Sequence, residues 1–167
     1  MYKAVVILLA LLTCTVASAA NRYIVLSDSI FTQTYGGVRS DKLAFTIVNS
    51  SIRGAVVDVL GSPGATVSPI GGYSGAADMV DAVRFWSGRF GAQGAYIQVG
   101  TNDHGLGVPL ESYKSSLRTL LSGLQDLNLG ILCIKPFWRA SQNTLNSQGL
   151  KLSHYQAAME SVCAEYG

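Results

Sequence analysis

The chain has 167 residues, 49% of them hydrophobic, and its 12 basic and 10 acidic side chains give a formal charge of +2. That length suits one domain with a single sizeable core and argues against two. The basic residues are scattered, not gathered into a run or stripe, so nucleic acid is not expected as a partner.

In chain order, Lys3 is followed by an apolar run from Ala4 to Leu12 and then by Ala17-Ser18-Ala19. A charged start, an apolar centre and a small-residue cleavage site make a secretory signal peptide. Residues 1–19 are therefore expected to be a signal, and 20–167 a secreted, extracellular domain. The apolar run is too short for a stable membrane span. Export would leave Cys133 and Cys163 in an oxidising compartment. They could form a disulfide between a strand and a late helix or remain buried thiols. No CxxC pair and no Cys/His ligand spacing is present, so no metal site is expected.

Beyond the leader, short Val- and Ile-rich runs alternate with longer segments of helical periodicity, the pattern of an α/β domain with a parallel sheet. Strands are expected at Tyr23 to Leu26, Ala55 to Leu60, Ala95 to Val99 and Ile131 to Ile134. Runs so continuously apolar suit strands covered on both faces. Met79, Val83, Trp86 and Phe90 mark one face of a helix. Tyr113, Leu117, Leu120, Leu121 and Leu124 mark another, and Leu152, Tyr155, Met159, Val162 and Tyr166 a last one; all three stripes read as core. The Gly/Ser/Pro-rich stretch from Gly61 to Gly75 reads as a long βα loop with a function.

In a parallel sheet the loops at the carboxyl ends of the strands converge on one crevice. Three of them carry polar or glycine-rich turns: Ser27-Asp28-Ser29-Ile30, Gly61-Ser62-Pro63-Gly64-Ala65-Thr66 and Gly100-Thr101-Asn102-Asp103. A serine just past a strand can present its hydroxyl and its backbone N–H to a substrate. Glycine lets the backbone approach a ligand closely. An asparagine amide is a neutral donor for a developing oxyanion. Each turn alone is ordinary loop chemistry; together they would supply a nucleophile and three donors for acyl transfer.

In joint order these blocks resemble the SGNH/GDSL hydrolase family. Tyr23 to Ile30 looks like its first block, Leu60 to Thr66 like its second, and Ile97-Gln98-Val99-Gly100-Thr101-Asn102-Asp103 like its third and most specific. The resemblance implies a three-layer α/β/α, flavodoxin-like fold with a parallel sheet. It also implies Ser29 as nucleophile, and an oxyanion hole made by the Ser29 and Gly64 backbone N–H groups and the Asn102 side chain. Asp28 is expected to fix the turn. Asp28, Asp103 and His104 stand as candidate substrate contacts; for His104, a makeshift base and a plain loop residue are the other readings. Tyr35, Tyr73 and Trp138 could also lie around the crevice. No metal or organic cofactor is implied, because serine, base and oxyanion hole suffice for ester hydrolysis.

Two departures from the family pattern stand out. Ser27 occupies the usual glycine position, which would cost on the order of a kcal/mol if the turn needs a positive φ. The family's final strand and its Asp-x-x-His block would follow a helix like Leu152 to Tyr166, yet the sequence ends at Gly167. The sheet is thus expected to lack its last strand, leaving the Ile131 to Ile134 strand as an open edge. His154 lies in the helical stripe and reads as a surface residue. Without its histidine a serine hydrolase loses roughly 10⁶ in turnover. This chain by itself is therefore expected to be catalytically incomplete, and the expected function is a secreted ester hydrolase working through a Ser29 acyl-enzyme, for example on an O-acylated carbohydrate or lipid. The alternative is a non-catalytic module that binds a glycan or lipid ester. A nucleotide-binding flavodoxin-like protein is disfavoured by the absence of a GxGxxG or Walker pattern.

Overall fold

A computed structural model describes residues 21–28, 34–35, 38–39, 48, 52–61, 63–70, 75–136 and 142–167. The expected leader 1–19, Ser29, Ile30, Ser62, Tyr73 and Trp138 lie outside the described residues, as does the side chain of Tyr35. Four parallel strands form the sheet: β1 (Arg22–Ser27), β4 (Val56–Gly61), β5 (Gly94–Gln98) and β6 (Gly130–Cys133), in the order β4-β1-β5-β6. Each coincides with an expected strand to within a residue at either end. A two-residue antiparallel ladder, β2 (Thr34–Tyr35) with β3 (Val38–Arg39), stands apart from this sheet.

Alternation along the strands decides which layer each side chain enters. Ile24, Leu26, Ala95 and Ile97 point into the larger core, which three helices complete: α1 (Ala76–Phe90), α3 (Leu110–Gln125) and α4 (Leu152–Cys163). The expected stripes supply the helical side. Tyr113, Leu117, Leu120, Leu121 and Leu124 are all buried, as are Met79, Val83, Leu152, Tyr155, Met159 and Val162. Val25 and Tyr96 face the other way, into a smaller cluster with Val48 and Ala55. The helical layer expected on that second face falls mainly outside the described residues, with Val48 as a buried representative.

α1 and α3 pack closely because Gly123 has no side chain: a Cβ there would sit 2.6 Å from a methyl of Val80. β6 pairs with β5, and no further strand joins it among the described residues; Leu132 on that edge is 49% exposed. Cys133 at the end of β6 is bonded to Cys163 at the end of α4, with Cα atoms 6.4 Å apart, so the alternative left open by the sequence resolves as a disulfide.

The chain leaves β1 toward β4 on one side and then crosses back to β5 on the other. The point where the winding reverses lies between the carboxyl ends of β1 and β5, where open α/β sheets bind ligands. Asp28 and the segment from Gly100 onward are delivered to that point.

Candidate active site

At the end of β1, Ser27 and its strand partner Gln98 are both fully buried. The Ser27 hydroxyl lies 3.0 Å from Gln98 Oε1 and 3.1 Å from the Asp28 carbonyl oxygen. The expected penalty for a side chain in place of glycine does not arise. Asn128 is the one non-glycine with positive φ among the described residues, so Ser27 sits in ordinary backbone and its hydroxyl is satisfied across the strand pair. Gln98 was not singled out from the sequence. The available signal was a polar residue inside the apolar run Tyr96 to Val99.

The next residue, Asp28, has no solvent exposure, and its N–H points at the Gln98 carbonyl at 3.4 Å. Asp28, expected to fix the turn and a candidate substrate contact, thus lies fully buried beside β5. Ser29, the expected nucleophile, directly follows it, outside the described residues.

In the loop after β4, Gly64 has φ of 80°, a left-handed conformation that favours glycine. The next carbonyl, of Ala65, accepts a hydrogen bond from Asn102 Nδ2 at 2.9 Å. This bond ties the second and third loops together and uses one of the two amide hydrogens of Asn102. Asn102 belongs to the short helix α2 (Thr101–Gly105), which starts after Gly100 at φ of 117°. Gly100 is needed for space as well as for its backbone angle. A Cβ there would stand 2.5 Å from the Tyr113 hydroxyl, which donates to the Val99 carbonyl at 3.2 Å.

Asp103 and His104 were expected as substrate contacts, and the structure turns both inward. Asp103 is fully buried and accepts backbone N–H bonds from Val67 at 3.2 Å and Ser68 at 3.1 Å. Its carboxyl therefore holds the end of the β4–α1 loop against α2. Burial raises its pKa from 3.8 to about 6, against the opposing pull of those N–H groups. Burial also pushes the neighbouring Tyr113 well above the usual phenol range, with Asp103 and Asp28 adding to the effect.

His104 is 3% exposed, with Nε2 3.2 Å from the Leu150 carbonyl and its ring edge-on to Tyr155. The Asn146 amide donates to the His104 carbonyl at 3.1 Å and to the Tyr155 hydroxyl at 3.0 Å, while its oxygen accepts the N–H groups of Gln148 and Leu150. Tyr155 in turn donates to the Val108 carbonyl. Asn146 is thus the hub of the α2–α4 contact, and nothing in its sequence surroundings marks it out. His154 is exposed as expected, and its Nδ1 accepts the Lys151 N–H at 3.0 Å at the start of α4.

Three loops thus converge at the carboxyl end of the sheet, with Gly64 and Asn102 side by side and the Ser27-Asp28 turn anchored to β5. Solved structures that share this fold include esterases and lipolytic proteins. Over 88% of this chain and 72% of its own length, the SGNH-hydrolase family esterase AlinE4 superposes with a TM-score of 0.64 at 18% identity. The lipase/acylhydrolase from Enterococcus faecalis matches with a TM-score of 0.63 at 15% identity, over 87% of this chain and 72% of its own. A G-D-S-L family lipolytic protein from Desulfitobacterium hafniense gives 0.61 at 15% identity, over 87% and 73%. The chain has the SGNH-hydrolase fold. No family model and no curated protein matches the sequence. The SGNH fold accounts for the order of the four strands and for the meeting of loops at their carboxyl ends. Among the described residues no helix is long and apolar enough to cross a membrane, and no group of three His, Cys, Asp or Glu side chains is placed to hold a metal ion.

Proposed function

We propose that the protein is a secreted SGNH-type ester hydrolase in which Ser29 attacks the acyl carbonyl. The Ser29 N–H, the Gly64 N–H and the Asn102 amide would receive the oxyanion. The observation that carries this reading is the Asn102–Ala65 bond, which sets the amide of Asn102 beside the left-handed Gly64. Two neutral donors held rigidly in a loop pair are what a tetrahedral intermediate requires, since preorganised dipoles need no rearrangement as charge develops. In the reaction the Ser29 oxygen would bond to the carbonyl carbon as its proton passes to a general base, the part that the family resemblance gives to an Asp-x-x-His block. The intermediate collapses, the alcohol leaves with a proton, and water then releases the acid from the acyl-enzyme. Removal of one oxyanion donor in such sites costs roughly 10²- to 10³-fold in turnover.

Export is part of the proposal, and the Cys133–Cys163 disulfide supports it because such bonds persist in oxidising compartments. An O-acylated carbohydrate or a lipid is the proposed substrate. A chromogenic ester assay with Ser29→Ala tests the assignment: turnover should fall to background, and an unchanged rate would remove Ser29 from the mechanism.

One observation favours a second reading, a module that binds an ester without cleaving it. Of the two histidines in the chain, His104 is buried against the Leu150 carbonyl and His154 sits exposed at the start of α4. In that case binding of the ester would saturate with no product formed.

A further inference from the structure

A groove of about 310 Å³ opens between the carboxyl end of β4 and α1, next to the loops described above. Among the described residues its walls are Leu26, Val59, Leu60, Gly61, Ala65, Met79 and Ala82, with Ser27 and Asp78 as the polar ones. Ser27 already has its hydroxyl on Gln98. Asp78 is exposed, in the first turn of α1. Apart from the exposed Asp78 carboxylate, the described lining is mainly apolar and suits a hydrocarbon.

We propose that this groove receives the aliphatic chain of the acyl group, so that the ester carries a medium-length acyl chain. The proposal rests on the ester-hydrolase reading. Continuity with the site supports it from two sides. Ala65, in the wall, directly follows Gly64 and carries the carbonyl that Asn102 holds; Ser27, also in the wall, lies two residues before Ser29. In this proposal the carbonyl sits at Gly64 and Asn102 and its chain in this neighbouring space. The volume is about twice that of an apolar cavity of ~150 Å³ that accepts benzene, and lies near the lower end of known ligand pockets, ~300 to 1,000 Å³. That is ample for a chain well beyond acetyl. The same helix face continues the apolar track. Ala82 and Phe85 follow at a spacing of three along α1, and Phe85 is 66% exposed, one turn beyond the groove.

Calorimetric titration of the full chain with acetate, butanoate and octanoate tests this without requiring turnover. Complete burial of a methylene tightens binding about fourfold, so octanoate should bind at least tenfold more tightly than butanoate, and acetate least. Ala82→Phe, at an exposed helix position, should fill the groove and abolish the octanoate advantage, while Ser29→Ala should retain it. Affinity independent of chain length in the wild type, or undiminished octanoate binding in a folded Ala82→Phe, would overturn the proposal. The wild-type series decides the question by itself if that variant does not fold. Loss of the esterase reading shows separately, as ester turnover that survives Ser29→Ala.

Discussion

Replacing Gly100 by alanine perturbs the turn that aims Asn102, and its consequence can be worked from contacts on either side. The residue has φ of 117°, and an added Cβ would lie 2.5 Å from the Tyr113 hydroxyl and 3.0 Å from Cγ of Pro136. Forcing a side chain into that backbone conformation costs about 1 to 3 kcal/mol. The Tyr113 ring is fully buried, so its hydroxyl cannot move into water, and displacing it breaks the 3.2 Å bond to the Val99 carbonyl. A buried partner left unsatisfied adds about 1 to 3 kcal/mol. Since the two effects overlap in part, Gly100→Ala should lose about 2 to 5 kcal/mol in urea unfolding. The cause can be isolated with Tyr113→Phe, which removes the hydroxyl that the new methyl would strike. Gly100→Ala should then cost at least about 1 kcal/mol less in the Tyr113→Phe background than in the wild type. If Gly100→Ala alone costs under about 1 kcal/mol, or if the double-mutant cycle shows no coupling, the steric account of this turn is wrong.

Two further outcomes follow from buried groups away from that turn. Asp103 has its pKa raised from 3.8 to about 6 in the folded chain; between those values the native state holds a proton that the unfolded state has released, so stability falls as pH rises through this window. At 1.36 kcal/mol per tenfold change in proton affinity the loss is on the order of 3 kcal/mol. Urea melts from pH 3.5 to 7 should show that slope in the wild type and a flatter one in Asp103→Asn, and parallel slopes would exclude Asp103 as its source. The Cys133–Cys163 bond closes a loop with a sequence separation of 30. Its reduction, or Cys133→Ser with Cys163→Ser, should lower stability by about 3 to 4 kcal/mol, and an unchanged denaturation midpoint would mean that the cross-link does not constrain the unfolded chain.

Much of the architecture was legible in the sequence because it depends on local pattern. The four strands are apolar runs that need cover on two faces. The stripes at Met79, Tyr113 and Leu152 bury most of their members because helical spacing places them on one side, whereas Phe90, at the end of the first, is 41% exposed and Trp86 and Tyr166 are only partly buried. The turn residues at Asp28, Gly64 and Asn102 could be placed at the crevice because a parallel sheet collects the carboxyl ends of its strands there. Only the tertiary structure decided matters that rest on partners far apart in the chain. Ser27 is harmless because Gln98, 71 positions away, receives its hydroxyl. Asp103 turns inward because the N–H groups of Val67 and Ser68, more than 30 positions earlier, lie in reach of its carboxylate. His104 is held by Asn146 and Leu150, and Cys133 meets Cys163 because α4 packs back beside β6. Periodicity specifies which face a residue occupies, since that is a property of one element. It carries no information on which distant polar group stands opposite, and that choice determines whether a loop carboxylate or imidazole faces a substrate or holds the loop itself.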